Sequence, residues 1–271
     1  MKAPREILHE RLAARRAGWL DVRSDLRHFA LINYTLPPER LRPHVHERFE
    51  LATFPIDGQP QAQPKAMISA VPFLDEDFCF RALPFLKWRF GQTNYRAYVI
   101  DRETGEPGVW FFGTTLSSRL VHIARWLWRI PWHHSRSTLD CVHDPMRGAY
   151  ARYRVDTESG FGPAHIELED TGEPMRLLPG FRDLEEQVLV LTHPITGWFF
   201  RLDGQLGTYS VSHEVIPMTI ARPRQLQFGL FERLGLVSRD EMQTPHSVLL
   251  CPLTTFQVHL PPRRLHLRGS P

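Results

Sequence analysis

The chain has 271 residues, enough to bury a substantial core as one large domain or two small ones. Its 42% hydrophobic and 23% charged residues are ordinary for a globular protein, and a formal net charge of +3 without a dense Lys/Arg run excludes the concentrated basic face that nucleic acid demands. Three well-separated cysteines, Cys79, Cys141 and Cys251, form no CxxC pair, which argues against a disulfide framework and for a reducing compartment.

The N-terminus, MKAPREILHERLAARR, is charged throughout and does not read as a secretory signal. No run approaches the ~20 apolar residues that span a bilayer. The expectation is a cytoplasmic protein with no membrane partner. Residues 4–20 read as a helix that packs on the main body, so residues 1–24 form an N-terminal helical extension. A basic membrane-surface helix is disfavoured there because Glu6 and Glu10 dilute the charge.

Residues 27–35 (RHFALINYT) are a strand candidate, closed by Pro37-Pro38, with a short helix over residues 39–46. Residues 49–54, 66–73, 94–101 and 109–115 follow as strands, with turn chemistry at Asp57-Gly58 and Thr104-Gly105. Ser117 or Ser118 caps a helix in which Leu120, Ile123, Ala124, Leu127 and Trp128 repeat at helical spacing, and Pro131 ends it. Strands are expected again over 138–143, 149–155, 165–168, 184–192, 197–202 and 208–214, with residues 158–176 partly an exposed tip or loop. A second helix reads over 226–234, stopped at Gly235, and strands 247–251 and 255–260 close the pattern before a basic, frayed tail from Pro261. Many strands without regular βα alternation exclude Rossmann and TIM folds. The expected class is α+β, mostly antiparallel β: a barrel with a few packed helices, in one domain over 25–262, and a flexible tail over 263–271.

Five short motifs occur in order: LPPERLRP at 36–43, FGQTNYRAYV at 90–99, GVWFF at 108–112, Ala124-Arg125 through Pro131, and the segment from His213 to Ala221. Together they resemble the YqjF-like domain-of-unknown-function family, a branch of the acetoacetate-decarboxylase-like superfamily. The resemblance covers about residues 25–262 and implies that superfamily's β-barrel. Decarboxylases of this kind form a Schiff base on one lysine, activated by a second in a Pro-Lys-Lys motif. Here the corresponding phrase is Pro131-Trp132-His133, and a glutamate phrase is replaced by Phe90-Gly91-Gln92. The resemblance therefore implies no imine chemistry. It also matches Arg27 to the family's arginine near the first strand, which would hold a substrate carboxylate as a bidentate fork.

Gln92, Asn94, Arg96 and Tyr98 alternate with Tyr95, Ala97 and Val99, so the polar set shares one strand face. That face lines the barrel or meets solvent; both readings stand. Phe111 and Phe112 alternate, so one of them points into the barrel. His133 and His213 are the titratable candidates for acid–base work. Lys87 reads as a solvated loop lysine. No HExxH, paired CxxC or EF-hand spacing supports a metal, and no GxGxxG, P-loop or GxSxG supports a nucleotide cofactor or an activated serine. The expected function is binding of a small anionic or carbonyl-bearing molecule, with Arg27 and Arg96 on its charge and Gln92, Asn94, Tyr98 and Trp132 shaping the cavity. Alternatives are a lysine-independent lyase, hydratase or hydrolase working through histidine, and a non-catalytic interaction module. Whether the chain is an enzyme is left open; homodimerisation is a further expectation.

Overall fold

β-Branched and aromatic residues recur between Val22 and Arg264, where long strands wrap into a barrel. In a computed structural model of the protein, residues 4–12, 18–56 and 63–265 are described. Helix α1 (Pro4–Leu12) leads into β1 (Val22–Leu36), α2 (Pro38–Leu41) with a 3-10 turn (Arg42–His44), β2 (Phe49–Leu51) and β3 (Thr53–Phe54). Then come β4 (Lys65–Phe80), β5 (Trp88–Asp101), β6 (Pro107–Leu116), α3 (Leu120–Trp128) and β7 (Trp132–His134). Strands β8 (Arg136–Asp144), β9 (Ala149–Glu158) and β10 (Ala164–Pro174) form a meander, followed by α4 (Leu184–Leu191), β11 (Thr196–Phe200) and β12 (Leu206–His213). The chain ends with β13 (Thr219–Phe228), α5 (Gly229–Arg233), α6 (Arg239–Met242) and β14 (Ser247–Arg264).

Strands β1-β4-β5-β6-β11-β12-β14 are neighbours in that order, and β14 pairs back onto β1, which closes a seven-stranded barrel. All pairings in it are antiparallel except β6 with β11. From β14 the sheet continues through β13, β10, β9 and β8 as an arm that folds over the outside of the barrel. Two cores result. One fills the space between arm and barrel and includes Tyr34, Tyr95, Trp110, Tyr153, Phe228 and Phe231. The other lies inside the barrel and includes Leu26, Phe29, Phe73, Tyr98, Phe111 and Phe199. Helix α1 is fastened to the body by Arg11, whose guanidinium bonds Glu106 at 2.8 Å and the carbonyls of Pro107 and His193.

The mostly antiparallel, barrel-based fold matches the expectation, and several boundaries differ. Residues 184–192 form helix α4, not a strand. Asp183 caps it by accepting from the Glu186 amide at 2.8 Å, while the Glu186 carboxylate accepts from the Arg182 amide at 2.7 Å. That cap prevails over the strand preference of the β-branched, apolar run Val188-Leu189-Val190. Residues 226–228 end strand β13, so the short helix after them starts only at Gly229. Residues 158–176 are largely strand β10. The last two expected strands merge into β14, which continues past Pro261 to Arg264 instead of fraying. Helix α1 ends at Leu12, and residues 13–17 and the Asp57-Gly58 turn lie outside the described residues. Arg119 occupies the N-cap of α3; Ser118 Oγ accepts from the Leu120 amide, and Ser117 Oγ from that of Gly91. No described helix is long and apolar enough to cross a membrane.

Candidate functional site

Alternation along the barrel strands decides which side chains face inward. On β5, Tyr95, Ala97 and Val99 enter the core beneath the arm. The even-numbered Gln92, Asn94 and Arg96 therefore line the barrel interior. On β6, Phe111 faces the interior and Phe112 the outer core. β1 changes parity at a bulge: the register with β4 shifts between Arg27 and Ile32, and His28 adopts a positive φ of 54°. Before the bulge Val22, Ser24 and Leu26 face inward; after it Phe29 does.

These faces enclose a cavity of about 280 Å³. Its wall is mainly aromatic and aliphatic, with Phe29, Phe73, Phe90, Phe111, Tyr209 and Phe256 among its rings. Trp132 lines it, and its carbonyl accepts from Arg125 at 2.6 Å, which fixes the segment after α3. No lysine is among the lining residues; Lys87 instead pairs with Asp77 at 2.7 Å on an exposed turn.

Polar groups gather at two poles. At the first, Arg96 Nη2 donates to the Leu191 carbonyl at 3.0 Å, so the last turn of α4 holds the guanidinium with the negative end of its dipole. Arg96 lies over the Tyr98 ring at 5.5 Å, its Nε is buried without a partner, and no carboxylate pairs with it among the described residues. Beside it Gln92 donates to Asn94 Oδ1 at 2.9 Å, and Thr114 donates to the same oxygen at 2.8 Å. His213 completes this pole. It stacks on Phe256 at 4.1 Å, and its Nδ1 meets the Glu214 carbonyl at 2.7 Å, so that nitrogen carries the proton. Burial, reinforced by Arg96, pushes His213 down to about 4, so the ring is neutral at physiological pH. The adjacent His193, 4.3 Å ring to ring, is pushed down to about 3 by burial and by His213.

The second pole is Asp75, with Ser24 donating to Oδ1 at 2.7 Å and Oδ2 buried without a partner. Burial raises its carboxyl to about 7. Asp75 pairs with Phe90 in the β4–β5 register, six residues from Arg96 along β5, roughly 20 Å of strand. The arrangement can hold an elongated, mostly apolar molecule with an anionic group at Arg96 and a hydrogen-bonding group at Asp75.

The structure brings together Gln92, Asn94, Arg96, Trp132 and His213 of the expected residues, and Tyr98 just beneath them. Tyr98 takes part in a buried network with Ser69 and Asn33, at 2.7 and 3.1 Å, rather than in the wall. Two expected positions are corrected. Arg27 precedes the β1 bulge, points out of the barrel and pairs with Glu76. His133 alternates with Trp132 on β7, so it turns away from the cavity and stacks flat on Phe161 at 3.5 Å; burial and the nearby Arg125 and Arg233 push it down to about 4. Asp75 and Ser24 were not singled out by the sequence. The signal that finds Asp75 is its place in MISAVPFLDEDF, in phase with inward Val71 and Phe73. Among the described residues, no three His, Cys, Asp or Glu side chains converge as a metal site.

Solved structures share this architecture. An enduracididine biosynthesis enzyme, MppR, complexed with pyruvate, superposes with a TM-score of 0.61 at 13% identity, covering 94% of this chain and 93% of its own. Acetoacetate decarboxylase from Legionella pneumophila gives 0.60 at 14% identity, covering 95% and 94%. An acetoacetate decarboxylase-like enzyme from Sphingomonas wittichii RW1 gives 0.55 at 10%, covering 92% and 94%. At these identities the likeness establishes the acetoacetate-decarboxylase-like fold alone. No curated protein matches the chain. Residues 23–255 match one family over most of the chain, and on that match the protein belongs to the DUF2071 family, "Uncharacterized conserved protein".

Proposed function

We propose that the barrel binds a small organic molecule, largely apolar, whose anionic or carbonyl group is received by Arg96. The observation that carries this reading is the Arg96 guanidinium, inside an aromatic cavity, with a buried unpartnered Nε and no carboxylate beside it. The guanidinium is half-buried and without a counter-ion, and a ligand carboxylate would supply that partner as a charge-assisted bond. Gln92, Asn94 and Trp132 shape the cavity around it. The related fold of the enzyme complexed with pyruvate supports a keto acid as one member of the ligand class. No lysine is among the described residues of the wall, which supports a function other than Schiff-base decarboxylation.

A second reading, acid–base catalysis, is favoured by one observation: Asp75, raised to about 7 and facing the cavity with a free oxygen, is poised to exchange a proton near neutral pH. His213 is the histidine within the cavity, its low value making it a weak base there; His133 is not in reach.

The test is affinity across a series running from pyruvate and acetoacetate to longer aliphatic and aryl carboxylates, read by calorimetry. Affinity is expected to rise about tenfold for every two methylenes that enter the wall. Arg96→Gln should weaken every member by ~10- to 100-fold while leaving the length dependence intact. Affinity independent of chain length, or unchanged in Arg96→Gln, would overturn the reading.

A further inference from the structure

One end of the barrel carries an apolar surface that the cavity does not account for. Within α3 only His122 and Arg125 interrupt the apolar run Leu120–Trp128, and Arg125 is turned inward onto the Trp132 carbonyl. Leu120, Ile123, Ala124 and Trp128 of this helix line the cavity, while Trp126 is 72% and Leu127 53% exposed. A helix that is apolar on nearly all sides is ordinarily covered on all sides. The β4–β5 turn stands at the same opening. Phe78 and Trp88 at its base pack with Leu120 and Val121 of α3, and its tip leaves Phe85 80% exposed. Trp19, 84% exposed, is tied to this turn because its carbonyl accepts from the Ala82 amide at 3.1 Å.

The unpaired charge around this rim has one sign. The sequence holds no carboxylate between Asp77 and Asp101, nor between Glu106 and Asp140. The bordering acids are already engaged: Asp77 by Lys87, Glu76 by Arg27 and Arg89, and Asp203, beside the end of α3, by Arg201. Arg81, Arg119 and Arg129 are exposed and have no ion pair among the described residues. Exposed tryptophan and phenylalanine among unpaired arginines, on one face, is the composition of an interfacial membrane anchor. An isologous dimer through this face would set the same unpaired arginines against one another, where like charges oppose association.

We infer that the rim formed by α3 and the β4–β5 turn docks on an anionic phospholipid surface, with Trp126, Phe85 and Trp19 entering the headgroup region and the arginines pairing with lipid phosphates and carboxylates. The expectation of no membrane partner rested on the absence of a spanning run and on the diluted N-terminal helix; neither bears on a surface assembled by folding from separate segments. Docking stands independently of what the cavity holds, although it sets the cavity opening against the bilayer, the source from which an apolar ligand is most readily drawn.

Vesicle co-sedimentation of the full chain tests this, comparing phosphatidylcholine vesicles with vesicles that also contain phosphatidylserine. The protein should pellet with the anionic vesicles and remain in solution with phosphatidylcholine alone, and added salt should release it. Trp126→Ser and, separately, Phe85→Ser should each lower the partition coefficient about tenfold. Both side chains lie on the surface, and an unchanged melting temperature verifies the fold; the two sites are independent, so failure of one variant leaves the other decisive. Protein that stays in solution with both vesicle types, or variants that bind as well as the wild type, would overturn the inference. So would a dimer in light scattering that Trp126→Ser dissociates, which would assign the face to protein association.

Discussion

Strand β5 divides two interiors of opposite character. On its outer side Tyr95, Ala97 and Val99 join a core that is closed and satisfied. Tyr95 packs edge-on against Phe228 and Phe231, and its hydroxyl finds the Gly162 carbonyl at 3.3 Å. Tyr34 and Tyr153 in the same core likewise donate to backbone carbonyls, at 2.9 and 2.7 Å. On the inner side Gln92, Asn94 and Arg96 face a cavity, and buried polar atoms of Arg96 and Asp75 lack partners. The tyrosine hydroxyls of the outer core are paired, whereas Arg96 and Asp75 on the inner face keep buried atoms without partners, and on the proposed reading those atoms are what a ligand meets.

The comparison can be broken by substitution. Phe231, fully buried in the outer core, should cost about 3–5 kcal/mol when replaced by alanine, read from urea denaturation. Gln92→Leu on the cavity face should cost under about 1 kcal/mol, because it exchanges a wall amide for an apolar side chain of similar size. Equal losses would mean that the cavity face is structural after all.

Asp75 sharpens the contrast through pH. Its folded carboxyl is raised to about 7 from an ordinary 3.8, so the folded state holds a proton that the unfolded state has lost. Its contribution is favourable below the unfolded value and is lost as pH rises toward 7. The advantage of Asp75→Asn over wild type should therefore grow between pH 4 and 7 and level off above, reaching roughly 4 kcal/mol. A difference independent of pH would contradict a buried, neutral Asp75.

His213 carries the opposite sign. Its folded value is depressed to about 4, so the unfolded state takes up the proton first as pH falls. Wild type should lose stability between pH 6.5 and 4, and His213→Gln should remove about 1 kcal/mol of that loss, measured by denaturation across the range. The smallest effect belongs to Lys87, on an exposed turn: Lys87→Ala should leave both melting temperature and ligand affinity unchanged.

Much of this division was legible in the sequence because alternation is local. The face shared by Gln92, Asn94, Arg96 and Tyr98 follows from period two, and so does the split between Phe111 and Phe112. The errors arose where a local signal was broken or outweighed. Arg27 faces outward because the bulge at His28 resets parity on β1, and a bulge leaves no clear mark in LRHFAL. His133 turns away because a three-residue strand reverses its neighbour Trp132. Helix α4 was hidden by the continuous apolar, β-branched run Val188-Leu189-Val190, although Asp183 and Glu186 stood at capping distance. Asp75 escaped notice because its surroundings, not its spacing, give it its chemistry: two separate strands carry the carboxyl into an apolar cavity with only Ser24 to meet it.

The central claim is that Arg96 makes the inner core a binding site. Native mass spectrometry of wild type and Arg96→Gln, each incubated with the carboxylate series and then denatured, tests it most directly. The account predicts a small acid retained by the folded wild type, released on denaturation, and absent from Arg96→Gln. Retention of the same acids by both proteins, or by neither, would contradict it.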